Sequence, residues 1–320
     1  MRLIYKVSIR LVLATGVVLA LLLIANSYFV WTTGIQLQEQ LTALREAKDP
    51  VTLRDLAQPA VPPDKNAFVF LRRAEAGIEA INKELRAIYD KEPPNEGGRL
   101  TPQEQKAVLA AWDAYPQVLP LLHQAAACPS YQPDLDYSVG LTELSEAIGR
   151  QQGQRRELFR ALQGRVRLLS ARGEQPEALR TCTLMFRLAR HMKKEPTLIN
   201  YLVTLACRAM SVQVANEVLR AGPVPDADRN KFEAELARNQ DRDGFRYALK
   251  SERAYGLEVF ETQLLPAAGW PGRAYFRSHQ SALLRMYEEQ LALVDQPYPQ
   301  FAKVEARWKA EEPGWFSPNN

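Results

Sequence analysis

The sequence is poor in the residues that most metal and catalytic centres draw on. Its 320 residues include three histidines (His123, His191, His279) and three cysteines (Cys128, Cys182, Cys207). The histidines lie far apart, with no H-E-x-x-H spacing to place two ligands on one helical face. The cysteines form no C-x-x-C pair, and an odd set of three is no disulfide framework. No metal and no cofactor is therefore expected. There is also no G-x-S-x-G, no P-loop and no dinucleotide fingerprint. A large excess of either charge is lacking too, with 41 basic residues against 37 acidic. The net charge is +4, and Arg2, Lys6 and Arg10 carry three of those four. The body of the chain is left near neutral, without the cationic excess that phosphate backbones require, so nucleic acid is set aside as a partner. No stretch alternates polar and apolar residues between hairpin turns, so no sheet is expected.

What is present begins at the N-terminus. No acidic residue precedes Glu39, and "RLVLATGVVLALLLIANSYFVW" has no charge after Arg10. About 20 such residues span a hydrocarbon layer roughly 30 Å thick. The three leading cations favour a cytoplasmic N-terminus, and Tyr28 and Trp31 suit the far interface. A cleaved signal peptide is the competing reading, which would make the mature protein soluble and secreted. Its apolar region would span only about 7–15 residues, and Ala25-Asn26-Ser27 is a poor cleavage site. The reading favoured is an uncleaved anchor in the cytoplasmic (inner) membrane, with the main domain outside the cytoplasm.

The expected organisation has five parts. Residues 1–10 are a cytoplasmic N-terminus and 11–31 a transmembrane helix. Residues 32–64 are a juxtamembrane helix, with Leu37, Leu41 and Leu44 on one face, and a proline-rich linker. Residues 65–312 are an all-α extracytoplasmic domain, a bundle of antiparallel helical hairpins, and 313–320 a tail. Apolar periodicity places a helix from about 66 to 88, carrying Phe68, Leu71, Ile78, Ile81, Leu85 and Ile88. Thr101-Pro102-Gln103-Glu104 is a capping box that starts another helix. Pro116 and Pro120 break or kink the region that follows, and "CPSYQPDLDYSVG" is a loop. Further helices are expected over 141–171, 176–193, 196–219, 227–265, 274–294 and 300–311.

Each candidate site has a plain structural alternative. His191, beside two lysines in "RHMKKEP", reads as the polar corner between two helices, with Glu195 capping the second and Pro196 at its first position. Cys182 and Cys207 fall nearly level across that corner. Packed helices usually lie about 8–10 Å apart, which favours buried free thiols over a bridge. In "NQDRDGF", Asn239, Asp241, Asp243 and Gly244 stand at calcium-loop offsets, but Lys250 occupies the place of the bidentate glutamate. The aspartates fit better as charges at a helix start. Among carboxylates, Glu252, Glu258 and Glu261 share one helix near Arg253. Glu252 and Glu258 are the candidates for acid–base catalysis, against the plainer reading of solvated surface charges.

Two resemblances bear on fold and function. "SARGEQPEALRTC" resembles part of a tetratricopeptide hairpin at about 159–195, with Gly173 and Ala178 at that motif's small-residue positions. More of the chain is covered by the series "LTPQEQKAVLAAW", "ACPSYQPDLDYSVG", "RGEQPEALRTCTLMFRLARHMKKEPTLINYLVTLACRAM" and "ALKSERAYGL". In that order, these motifs resemble a widespread group of uncharacterised, single-pass, membrane-anchored helical proteins of the bacterial envelope. The resemblance implies an envelope protein and no catalytic role. The function expected is a membrane-tethered interaction or scaffold module with a protein partner; the alternative is an envelope hydrolase using Glu252 or Glu258.

Overall fold

A computed structural model describes residues 2–89, 100–193, 195–239 and 242–296 of the chain. Among these residues the structure is helical, with no strands and one isolated bridge between Asn66 and Ser130. The helices are α1 (Arg2–Glu46), α2 (Ala67–Tyr89), α3 (Pro102–Asp113), α4 (Val118–Ala127), α5 (Leu141–Ala171), α6 (Gln175–Met192), α7 (Leu198–Ala221), α8 (Asp226–Arg238), α9 (Arg242–Val259), α10 (Leu265–Ala267) and α11 (Gly269–Leu293). The chain divides into two compact units, one made of Met1–Asp55 and Leu249–Asn320, the other of Leu56–Ala248. The expected domain over 65–312 contributes residues to both units.

In the first unit, α1 is a long apolar helix whose residues 13–25 are all exposed. It is long and apolar enough to cross a membrane. The helix does not stop at Trp31 but continues to Glu46, so the expected span and juxtamembrane helix are one element. The leucine face read from the sequence is used. Leu37 and Leu44 are buried with Val51, Leu257 and Leu284, and Leu41 packs against them. Just past α1, Asp49 accepts from Lys250 Nζ at 2.6 Å and from Arg253 Nη2 at 3.0 Å. Burial opposes the Asp49 carboxylate, but these two cations outweigh it and hold its carboxyl below 3.8. The expected proline-rich linker is thus not free: Val51, Leu53 and Leu56 are buried in it.

The second unit holds the main core. In α2, Ala74, Ile78, Ile81 and Leu85 are buried at helical spacing. Gly77 lets α4 approach, since a Cβ there would lie 2.4 Å from Val118 Cγ2. The capping box forms as expected, with Thr101 and Glu104 each accepting from the other's backbone N–H. Pro116 lies in the break between α3 and α4. Pro120, expected to break or kink the chain, instead sits in the first turn of α4. There its missing N–H removes no intrahelical bond. Helix α5 has the expected bounds. It ends with Gly173 at φ 79, where Gly173 N bonds Ser170 O and Glu174 N bonds Leu169 O, the pattern of a left-handed helix stop. Helices α5, α6 and α7 pack pairwise on one another. Phe159, Leu162, Leu179, Met185, Phe186 and Leu188 are buried in the core they share with α2, α3, α4 and α8. The single helix expected over 227–265 is two helices, α8 and α9, followed by a π-helical turn, Phe260–Leu264. The helix expected over 300–311 and the tail expected over 313–320 lie outside the described residues.

Candidate functional site

The centre of the second unit is polar. Three elements meet there: the loop before α5, the middle of α5 and the corner between α6 and α7. Asn66 pins the loop. Its side chain donates to Gln132 O at 2.9 Å and accepts from Gln132 N at 2.9 Å and Phe68 N at 3.1 Å. Tyr131 is thereby turned inward, and its hydroxyl donates to Glu195 Oε1. Arg155 of α5 pairs with the other oxygen of Glu195. The same guanidinium donates to Asn200 Oδ1 and Gln151 Oε1, each at 3.2 Å. Gln152 Nε2 donates to Asn200 Oδ1 at 3.0 Å, and Asn200 Nδ2 to Pro196 O at 2.7 Å.

The side chain of Glu195 is 0% exposed and that of Arg155 5%. Burial raises the Glu195 carboxyl above 4.5, with Arg155 and the Tyr131 hydroxyl pulling against that rise. Burial opposes the charge on Arg155, but Glu195 more than offsets it. Burial also pushes the Tyr131 hydroxyl up, and the Glu195 charge adds to it. Arg155 and Glu195 form a buried pair, and hydrogen bonds from Tyr131 to Glu195 and from Arg155 to Asn200 and Gln151 hold it in place.

The sequence reading of this corner needs two corrections. Glu195 does not cap α7, and Pro196 is not its first residue. Thr197 is the N-cap, accepting from Asn200 N at 3.4 Å, and α7 begins at Leu198. Thr197 sits at φ 84, ψ 144, where a β-branched residue is strained. His191 stands at the expected corner, in the last turn of α6; it is 8% exposed, with its ring stacked on Tyr131 at 6.3 Å between centroids. Cys182 and Cys207 are buried free thiols, and burial lifts each to about 12.

Above the polar centre, a cleft of about 320 Å³ lies between α2 and α5, with Phe68, Leu71, Ile78 and Leu158 among its walls. Gln154 Nε2 donates to Glu75 Oε1 there, which links the two helices.

The outer side of α7 is the other notable surface. Its inward face carries Asn200, Thr204, Arg208 and Ser211 beside Val203, Cys207 and Val214. Its outward face exposes Ile199 (52%), Leu202 (51%), Leu205 (40%) and Val212 (41%), with Ala206 and Ala209 between them. A helix on the surface of a globular protein ordinarily shows the reverse pattern. This helix is also long and apolar enough to cross a membrane by composition, but its inward face is packed in the core.

Glu252 and Glu258 lie half-buried on α9, in the first unit. Six residues apart at about 100° each, they point about 120° from one another, so one cleft does not face both. Neither lines the cleft over Tyr131, the groove beside Trp31 and Arg277 or the hollow beside Arg86 and Arg160. Glu261, on the turn after α9, accepts from Gln280 Nε2 at 2.9 Å. Asp243 lies in the first turn of α9, the helix start expected of it, and pairs with Arg246 at 3.2 Å; Asp241 lies outside the described residues. Among the described residues no group of three or more His, Cys, Asp or Glu is placed to hold a metal ion.

No family model, curated protein or solved structure matches this chain. Its chemistry is read from its own residues.

Proposed function

We propose that the chain is a membrane-tethered interaction module of the bacterial envelope, in keeping with the helical envelope proteins it resembles. In this reading α1 spans the inner membrane with its N-terminus in the cytoplasm. The helices beyond it stand outside, paired antiparallel, and the outer face of α7 docks a partner protein. The observation that carries the reading is the inverted polarity of α7. Ile199, Leu202, Leu205, Ala206, Ala209 and Val212 face outward with no charge among them, while Asn200, Thr204, Arg208 and Ser211 face in beside the apolar residues of the core side. An exposed apolar stripe without charge is what a partner helix recognises. The Tyr131–Glu195–Arg155–Asn200 centre supports it as scaffolding, since it fixes the start of α7. The other reading is an envelope hydrolase working through Glu252 or Glu258. The divergence of those carboxylates on one helix counts against it.

The test is a mild-detergent pull-down of the full-length protein from native membranes, with mass spectrometry of what accompanies it. A stoichiometric protein partner is expected with the wild type. Leu202→Glu with Leu205→Glu should weaken its retention by about tenfold or more, because burying one leucine contributes about 1.5–3 kcal/mol. A partner held equally by the variant, or a clean monomer from wild-type membranes, would overturn the reading. Protease added to spheroplasts should cut the helical body, and full protection would refute the orientation.

A further inference from the structure

Three pairs fix the register of α11 on α1 within the first unit. The Arg277 guanidinium lies against Gly34, where a Cβ would meet Nη1 at 3.0 Å. Ser281 Oγ donates to Gln40 Oε1 at 2.7 Å. Leu284 packs in the cluster of Leu37 and Leu44. The numbers rise together, so α11 runs in the same direction as α1. Helix α9 runs the opposite way: Lys250 and Arg253 hold Asp49, beyond the end of α1, and Leu257 then joins the leucine cluster. The corner between α9 and α11 is therefore the end of this unit that points back toward the apolar span.

Its depth follows from helix geometry. Gly269 precedes Arg277 by about 12 Å along α11, which sets it beside the last turns of the apolar run that ends at Trp31. The composition agrees with that depth. No charged residue occurs between Glu261 and Arg273, Pro266 and Ala267 are exposed, and Tyr275 is 49% exposed.

A groove of about 630 Å³ separates this corner from α1. Val30, Trp31, Ile35 and Leu265 give it apolar walls, and its charged groups are Arg277 and Glu261. Arg277 is half-buried and has no hydrogen-bond or ion-pair partner among the described residues. Glu261 is exposed and accepts one hydrogen bond, from Gln280, which leaves it capacity for more.

We propose that this groove holds one aminophospholipid of the leaflet in which the apolar span ends. The headgroup phosphate sits on Arg277, the primary ammonium on Glu261, and an acyl chain runs along Val30, Trp31 and Leu265. Two features of the groove choose this occupant. The groove is continuous with the exposed apolar face of α1, and it offers one cation and one anion, which matches a zwitterion better than a purely anionic headgroup. A guanidinium takes phosphate through paired donors, and a carboxylate takes an N–H donor that a quaternary ammonium lacks. The inference rests on α1 spanning the bilayer.

The test reconstitutes the full-length protein in nanodiscs of phosphatidylethanolamine, phosphatidylglycerol and phosphatidylcholine mixed equally, and counts retained lipids by native mass spectrometry. One phosphatidylethanolamine per chain is expected. Arg277→Gln should lower its retention about five- to tenfold, the worth of one arginine near a membrane surface. Glu261→Gln should keep a lipid but erase the preference over phosphatidylcholine. Gly34→Leu, which crowds the guanidinium, should also lose the lipid, while Arg273→Gln on the exposed side of α11 should not. Equal retention of the three lipids, a preference for phosphatidylglycerol, or indifference to Arg277→Gln overturns the proposal. Carbonate extraction separates its failure from that of the anchor. A protein that leaves the membrane pellet ends both readings, whereas one that stays but retains no lipid ends this one alone.

Discussion

Replacing Arg155 with Met strips Glu195 of its counter-charge while keeping much of the buried volume. Breaking a buried ion pair from one side costs about 3–5 kcal/mol, because the remaining charge stays out of water. Here the carboxyl has an escape, since it can take up a proton. Burial already raises it above 4.5 with Arg155 present, and removing the cation lets that rise grow. A carboxyl raised on folding contributes stability that is whole below its unfolded value of 4.5 and is lost as pH climbs through the folded value. In that window the folded chain holds one proton more than the unfolded chain, so stability falls by about 1.4 kcal/mol per pH unit. Arg155→Met should therefore be only mildly destabilised at pH 5 and lose up to about 3 kcal/mol more by pH 7. The double variant Arg155→Met with Glu195→Gln carries neither charge, and Tyr131 can still donate to the amide oxygen. It should return to within about 1 kcal/mol of wild type, with no pH slope of its own. Urea unfolding of the full-length protein in micelles measures this through Trp112, the one tryptophan between Leu56 and Ala248, once the others are replaced by Phe. A loss that is equal at pH 5 and pH 7, or a single variant within about 0.5 kcal/mol of wild type at pH 7, would refute the buried pair.

The same change of Gly to Ala should act in opposite directions at two sites. Gly77→Ala should destabilise by about 1–3 kcal/mol, because its Cβ would meet Val118 Cγ2 at 2.4 Å. Gly153→Ala, in the middle of α5 with nothing within 4 Å of the added carbon, should stabilise by about 0.5–1 kcal/mol; chemical denaturation of both variants reads the sign. At Thr197, with φ 84, glycine should prove more stable than alanine by about 1 kcal/mol or more, because the left-handed φ adds to the ordinary preference of an N-cap for glycine over alanine. If alanine is the better tolerated, Thr197 is not strained. In the first unit, the low carboxyl of Asp49 contributes stability that is present above 3.8 and lost as pH falls through its lowered value. Asp49→Asn should flatten that acid limb in a pH series of thermal melts, and an unchanged limb would assign it to other groups.

The parts of this fold legible in the sequence are those whose cause is local. The capping box at Thr101, the glycine stop after Ala171 and the leucine face at Leu37, Leu41 and Leu44 each need only a few neighbouring residues. Asp49 is different: nothing beside it in "EAKDPV" points to Lys250 and Arg253, some 200 residues away. Proline density therefore made a closely held segment look like a free linker.

The corner at Glu195 went astray for a related reason. A glutamate before a proline at a helix start has a cheap local role as a cap, and that role made the longer-range one unnecessary to invoke. Yet a signal was present in α5. Its buried face runs through Leu144, Ile148, Leu158 and Leu162, and in the middle of that stripe stand Gln151, Gln152 and Arg155. Three polar residues in the apolar register of a core helix demand a buried acid and acceptor elsewhere, because an unpaired guanidinium does not stay in a core. Helix α7 answers that demand, and its polarity follows from doing so. With Asn200 facing Arg155, and Thr204, Arg208 and Ser211 on the same inward side, part of the apolar content of α7, Ile199, Leu202, Leu205 and Val212, is left to face out. The stripe that the partner is proposed to cover and the buried ion pair are thus two consequences of one arrangement. Disrupting Arg155–Glu195 should loosen the start of α7 and weaken partner binding, although neither residue touches the outer face.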